Sequence, residues 1–189
     1  MVGEYTSASL LTKEHFDWSD LERAPGNDEV RLISVEALNA EGNPVKAVNV
    51  EESVCIRLGF VVLKPSARFR CLVSVYTQGV CAFNSLEPTE TTYTETGLYY
   101  ASVTIPAHLF SENSYTVTVQ LATSLGGKKR SMAIIEDALA LRAIDKGLGT
   151  SVRGDYGHNL VDILRPRLAW ETRYTGEFQA VASALELPQ

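Results

Sequence analysis

The sequence predicts an all-β fold, an antiparallel β-sandwich of the immunoglobulin-like or jelly-roll kind. Three observations predict it. Apolar and polar residues alternate in short runs, turn residues separate these runs, and residues 28–172 show no helical period. About eight strands at intervals of roughly 8–12 residues are typical of two packed sheets. With 189 residues, of which 45% are hydrophobic, the chain can bury one sizeable core.

The alternation assigns the strands in chain order. In residues 54–63, for example, the apolar residues Val54, Ile56 and Leu58 share one face, whereas Arg57 lies on the other face. The same pattern predicts strands at residues 30–38, 54–63, 69–76, 80–83, 98–105, 114–122, 138–144 and 160–170. Pro166 interrupts the last of these strands, which places it at a sheet edge or at a bulge.

Turn-forming residues separate the strands and mark the ends of the domain. Pro25-Gly26-Asn27 closes an N-terminal extension of mixed polarity, and Gln78-Gly79 predicts a hairpin turn. We expect a linker at residues 1–27, the sandwich at 28–172 and a tail at 173–189. The remaining segments are a long loop or edge strand at 84–96, a turn or single helical turn at 106–110, loops at 125–130 and 147–157, and mild helical character at 176–187.

The charge distribution argues against a nucleic-acid partner. The net charge is −6, from 17 basic and 23 acidic residues, and seven of the acids lie in residues 1–29. The rest of the chain is near neutral, whereas a nucleic-acid binder needs a basic stripe. No run approaches the ~20 apolar residues of a membrane span, and Glu4 stands where a signal peptide needs positive charge. We therefore expect a cytoplasmic protein.

The cysteines and histidines predict neither disulfides nor a metal site. Cys55, Cys71 and Cys81 are odd in number and lie in apolar strand-like runs, which favours buried, reduced thiols. The three histidines have no metal-ligand spacing. We expect no cofactor.

Catalytic motifs are missing from the sequence. Gly126-Gly127-Lys128-Lys129 lacks the glycine spacing and the Ser or Thr of a Walker A loop, so ATP hydrolysis is not expected of this chain. No G-x-S-x-G or H-E-x-x-H motif is present. A carboxylate pair for glycoside hydrolysis remains an alternative, because two strands can bring acids together. The available acids, which are otherwise ordinary solvated charges, are Glu87, Glu90, Glu95, Asp137 and Asp162.

A series of motifs carries a family resemblance. Trp18 precedes Ala24-Pro25-Gly26-Asn27, which leads directly into Val30-Arg31-Leu32. The later motifs are Val80-Cys81-Ala82-Phe83-Asn84, Gly97-Leu98-Tyr99-Tyr100 with Ile105-Pro106, Asn113-Ser114-Tyr115-Thr116-Val117, Arg153-Gly154-Asp155-Tyr156-Gly157, and Pro166-Arg167-Leu168-Ala169-Trp170. In their order and spacing, over residues 16–172, they resemble the C-terminal carbohydrate-binding domain of the ATPase subunit of ABC-type O-antigen exporters, the Wzt C-terminal domain family. The ATPase that precedes this domain in the family is not part of this sequence.

The resemblance implies a β-sandwich that binds O-antigen polysaccharide without cleaving it. Such a domain acts on the cytoplasmic side of the inner membrane and presents the finished glycan to its ABC exporter. In some members the last strand is exchanged between protomers, which implies a homodimer here. The alternatives are a glycan-processing enzyme that uses paired carboxylates and a ligand-free immunoglobulin-like interaction module.

Outward residues of the best strands are the candidate sugar-binding residues. A sugar site needs a solvent-facing aromatic ring together with planar polar groups that bond hydroxyls. The residues that supply this mixture are Arg57, Arg70, Ser74, Tyr76, Thr116, Thr118, Gln120 and Arg142. The alternative is an ordinary solvated sheet face. The phase of Tyr99 and Tyr115 predicts core packing, and Trp170 is interpreted as a structural plug.

Overall fold

The computed structural model describes residues 15–18, 20–125, 128–158 and 160–173. Within these residues the chain forms ten strands and no helix, so the prediction of an all-β fold is confirmed. No helix that could cross a membrane is present among them. The strands are β1 (His15–Asp17), β2 (Val30–Leu38), β3 (Ala47–Asn49), β4 (Val54–Val62), β5 (Ala67–Thr77), β6 (Val80–Leu86), β7 (Thr91–Tyr93), β8 (Gly97–Ile105), β9 (Ser114–Leu125) and β10 (Lys128–Ile144).

The strands form two sheets. Sheet I has the order β1-β2-β4-β8, and sheet II has the order β3-β10-β9-β5-β6, with β7 paired to the start of β5. Neighbouring strands are antiparallel except for β3, which runs parallel to β10. Residues 15–18 of the predicted linker also contribute structure, because β1 pairs with β2 and Trp18 packs against the core. The domain boundaries themselves remain a prediction.

The core lies between the inward faces of the two sheets. Phe60 of β4 meets Phe69 of β5 edge to face at a centroid distance of 5.4 Å, and Tyr93 stacks on Phe69 at 4.5 Å. Tyr115 is 1% exposed, and Tyr99 packs half-buried against the core, as predicted for both. Because burial of a large apolar side chain contributes about 1.5–3 kcal/mol, this alternating face is what holds the sheets together.

Strand β10 starts ten residues before the predicted strand at 138–144. It pairs with β9 from Lys128 onward, and most of the expected loop at 125–130 belongs to this hairpin. The register shifts between Ile135 and Leu139, and Asp137 has a φ of 48°. This bulge interrupts the period-2 pattern, so the alternation indicates only the second half of the strand.

Residues 160–170 form no strand with the rest of the described chain, contrary to prediction. Their one bridge joins Leu164 to Phe110, and Arg165 N–H donates to the Leu109 carbonyl at 2.9 Å. Pro166 has no N–H to donate, and the next N–H, that of Arg167, bonds the His108 carbonyl at 3.1 Å without forming a strand. Trp170 is 91% exposed, so its interpretation as a plug of this domain is wrong.

The three cysteines are free and differ in burial. Cys71 is buried, Cys55 is half-buried and Cys81 is exposed. Burial of Cys81 was therefore predicted wrongly. Strand β6 is the edge of sheet II, and Cys81 lies beside a bulge opposite the outward-facing Tyr76.

Candidate functional site

Seven of the eight predicted site residues lie on the outer face of sheet II. They alternate with core residues on β5, β9 and β10, so their side chains leave the sheet on the side away from sheet I. These seven residues are Arg70, Ser74, Tyr76, Thr116, Thr118, Gln120 and Arg142. The eighth, Arg57, lies on β4 and therefore on the outer face of sheet I.

Four of the seven form a continuous patch across two neighbouring strands. Ser74 of β5 lies opposite Thr118 of β9, and Tyr76 lies opposite Thr116. Side chains that are directly opposite have Cβ atoms about 4.5–5.5 Å apart. We call this group the β5–β9 patch. It combines one aromatic ring with four hydroxyl groups, one of which belongs to Tyr76 itself.

Hydrogen bonds within the sheet fix part of this face. Ser74 is only 5% exposed and its Oγ donates to Asn84 Oδ1 at 2.6 Å, while Gln120 Nε2 donates to Ser131 Oγ at 2.8 Å. Thr118 Oγ1 accepts the N–H of Asp137 at 3.2 Å. Because buried polar groups need such partners, these contacts order the face. Tyr76, Thr116 and Thr118 are each half-buried, so they are more open to a ligand than Ser74 and Gln120.

The side chain of Arg70 is hydrogen-bonded to the connection between β6 and β7. Its guanidinium donates to the main-chain carbonyls of Glu87 at 3.2 Å and Pro88 at 3.4 Å. The carboxylate of Glu90 lies 4.0 Å away and pairs more closely with Arg68, at 3.0 Å. These contacts give Arg70 a structural role at one end of sheet II.

Arg142 borders a cleft beside the β5–β9 patch. Its strand neighbour is Ser114 of β9, and it is exposed. The cleft has a volume of about 350 Å³, and Thr116 belongs both to its wall and to the patch. A ligand that extends from Tyr76 across Thr116 would therefore reach Arg142.

On sheet I, Arg57 belongs to a different cluster. Its Nε donates to Glu36 Oε2 at 2.9 Å, and the guanidinium carbon lies over the Tyr100 ring at 5.4 Å from the centroid. Glu36 and Tyr100 were not among the predicted site residues. The sequence pair Tyr99-Tyr100 indicates an outward-facing aromatic ring on this strand, because neighbouring residues of a strand face opposite sides of the sheet.

The acids considered for catalysis are largely engaged elsewhere. Glu87 accepts the N–H of Cys71 at 2.8 Å, and Glu90 accepts the N–H of Ser124 at 2.6 Å in addition to pairing with Arg68. Asp162 is bonded to Arg165 at 2.8 Å. Across the described ranges, no group of histidines, cysteines and acids is arranged to hold a metal ion. The contacts of these three acids therefore lend no support to paired-carboxylate chemistry.

Comparisons with known proteins bear on the fold. No protein-family model and no curated protein sequence matches the chain. In structure it is similar to the crystal structure of the C-terminal domain of Wzt, with a TM-score of 0.59 and 10% sequence identity. The likeness covers 87% of this chain and 91% of that chain. The fold is that of the Wzt C-terminal domain. At this level, the resemblance found in the sequence motifs is confirmed.

Proposed function

We propose that the protein binds bacterial O-antigen polysaccharide without cleaving it and couples recognition of the finished glycan to its ABC exporter. The observation that carries the proposal is the fold shared with the Wzt C-terminal domain across nearly the whole chain. The order of the sequence motifs points to the same family. The protein would act in the cytoplasm at the inner face of the inner membrane, which it reaches through the transporter.

The chemistry of the β5–β9 patch supports a sugar ligand. Tyr76 offers apolar ring surface, Thr116 and Thr118 offer hydroxyl groups, and the cleft beside Thr116 leads to the guanidinium of Arg142. A sugar presents an apolar C–H face and a rim of hydroxyls, so it needs this combination. We assign the glycan contact to Tyr76, Thr116, Thr118 and Arg142, with Ser74 and Gln120 ordering the face.

The partners follow from the same proposal. They are the polysaccharide, the ATPase and permease of the exporter, and a second copy of the chain joined by exchange of the C-terminal segment. Leu168 and Trp170 are exposed, which supports that exchange, because burial of large apolar side chains against a partner stabilises the complex. No cofactor and no nucleic acid is proposed.

Affinity electrophoresis through gels that contain the O polysaccharide of the source strain tests the proposal. Binding should retard the wild-type protein in the gel. Tyr76→Ala should lower the affinity for the polysaccharide roughly tenfold, since ring stacking and area burial contribute about 1–2 kcal/mol to binding. The matched control is Tyr156→Ala, which removes an exposed tyrosine in the 147–157 loop. Glycan of unchanged length with retarded protein supports binding. Shortened glycan indicates an enzyme, and unretarded wild-type protein indicates an interaction module.

A further inference from the structure

Gly59 makes room for an aromatic side chain on the outer face of sheet I. In the strand register, Gly59 of β4 lies opposite Ser34 of β2 and opposite Tyr100 of β8. A Cβ at Gly59 would collide with Ser34 Oγ and would lie 3.0 Å from Tyr100 Cε1. The Tyr100 ring therefore occupies space that a side chain at this position would need.

The ring of Tyr100 is held in place but remains open to solvent. Gly59 lies against it from the sheet, and the Arg57 guanidinium lies over it. Even so, Tyr100 is 58% exposed. A ring that is already fixed loses little conformational entropy when it binds a ligand. Exposed aromatic surface of this kind suits the apolar C–H face of a sugar ring.

Hydrogen-bonding groups lie beside the ring. Both close contacts between Arg57 and Glu36 go to the same carboxylate oxygen, Oε2, at 2.8 and 2.9 Å. A guanidinium has five N–H donors and a carboxylate has two acceptor oxygens, so each retains capacity for a ligand. The exposed Ser102 lies opposite Arg57 on β8 and adds a hydroxyl group.

The charge of this cluster favours one class of ligand. Glu36 neutralises Arg57, so the group beside the ring has no net charge, and an anionic sugar would meet the Glu36 carboxylate. Hydroxyl groups, in contrast, can donate to Glu36 and accept from Arg57 at the same time. An uncharged sugar is therefore the ligand that fits both partners.

We propose that Tyr100, Glu36 and Arg57 form a second sugar-binding site, on the face of the sandwich opposite the β5–β9 patch, for an uncharged pyranose unit. Tyr100 stacks on the C–H face of the sugar, and the Glu36–Arg57 pair bonds its hydroxyl groups. The inference rests on the proposed function and specifies the ligand class. Two sites on opposite faces would let one domain contact two parts of a long polysaccharide, which raises the effective concentration at the second site.

The test compares four variants by affinity electrophoresis. The probes are the O polysaccharide of the source strain, dextran and mannan as uncharged polysaccharides, and alginate as an anionic one. Tyr100→Ala should reduce retention on an uncharged probe roughly tenfold, whereas Tyr100→Phe, which keeps the ring, should stay within about twofold of wild type. Leu98→Ala is the matched control, because it removes an exposed apolar side chain from the same face of β8. Tyr76→Ala reports on the other face.

Each outcome decides between the two proposals. Retention that falls with Tyr76→Ala but not with Tyr100→Ala would overturn the second site and leave the proposed function intact. Equal losses in Tyr100→Phe and Tyr100→Ala, or an equal loss in Leu98→Ala, would overturn ring stacking. Retention on alginate alone would overturn the uncharged ligand class. Wild-type protein that is retained on no probe would contradict the proposed function itself.

Discussion

The hydroxyl group of Tyr115 donates a hydrogen bond to the main-chain carbonyl of Ile163 at 2.8 Å. Tyr115 lies in the core on β9, whereas Ile163 belongs to the C-terminal segment that follows the last strand. Ser111 Oγ reinforces this connection by donating to the carbonyl of Asp162 at 3.0 Å. A core tyrosine therefore anchors the point at which the C-terminal segment leaves the sandwich.

Removal of this hydroxyl group should loosen the C-terminal segment. We expect Tyr115→Phe to lower the free energy of unfolding in urea by about 1–2 kcal/mol, because the Ile163 carbonyl loses this donor and the buried N–H of Ser111 loses the hydroxyl oxygen that accepts it. Limited proteolysis within residues 160–170 should become faster. The control is Tyr99→Phe, whose hydroxyl bonds the Glu95 carbonyl at an exposed position and should cost less than about 0.5 kcal/mol. Equal losses in the two variants would contradict an anchoring role.

Strands with strict alternation could be predicted from the sequence. On β9, Tyr115, Val117 and Val119 face the core as expected, because period-2 burial is a local property of an extended chain. The first half of β10 could not be predicted in this way, since the bulge at Asp137 shifts the alternation. Bulges depend on the partner strand, which the local pattern does not contain.

The candidate sites were predictable to different degrees. The pairing of Tyr76 with Thr116 joins two strands that both alternate well, so each residue could be placed outward from its own strand. The contact between Gly59 and Tyr100 depends on the register between β4 and β8, which are separated by three other strands in the sequence. The role of Arg70 likewise depends on how the β6–β7 connection folds back onto β5.

A double-mutant cycle tests the close approach at Gly59. We expect Gly59→Ala to destabilise the fold by about 1–2 kcal/mol, because the added methyl group meets Ser34 Oγ and the Tyr100 ring. Ser34→Ala removes the nearer of these atoms. In a chain that carries Ser34→Ala, Gly59→Ala should therefore lower the free energy of unfolding by less than it does in the wild type. Urea unfolding of the wild type, both single variants and the double variant gives the coupling energy. A coupling energy near zero would contradict the contact.

The cysteines should differ in reactivity. Burial, followed by the nearby Glu87 carboxylate, raises the pKa of the Cys71 thiol to about 12. We expect iodoacetamide at pH 8 to modify the exposed Cys81 in the native protein and to leave Cys71 unmodified until urea unfolds the chain. Mass spectrometry of tryptic peptides measures both sites. Rapid modification of Cys71 in the absence of urea would contradict its burial.

The raised pKa of the Cys71 thiol should make the stability of the fold decrease at high pH. In the unfolded chain its pKa is the ordinary 9.0, so between pH 9 and about 12 the unfolded state loses this proton while the folded state keeps it. The contribution to stability is therefore complete below pH 9 and falls as the pH rises towards 12. Between pH 8 and pH 11, the free energy of unfolding in urea should fall more steeply in the wild type than in Cys71→Ala. Parallel curves would contradict the raised pKa.

The C-terminal segment should join two copies of the chain. After Arg167, whose N–H donates to the His108 carbonyl, the segment makes no ladder with any described strand. Leu168 and Trp170 are exposed there, and β8 ends sheet I with an unpaired edge among the described strands. An edge with free main-chain groups can accept a strand from a second chain. We therefore predict a homodimer whose interface includes residues 160–170.

Light scattering at micromolar concentration should give twice the chain mass of 20.7 kDa. Truncation after Gly157 should give a monomer, and truncation after Arg173 should preserve the dimer. Because the shorter chain also loses the Tyr115 anchor, Trp170→Asp provides a test that leaves the fold intact. Trp170 touches solvent in the single chain, so a charge there matters only if a partner covers it. Leu148→Asp, at another exposed apolar position, is the matched control. A monomeric wild type, or a dimer that survives both Trp170→Asp and truncation after Gly157, would rule out exchange of this segment.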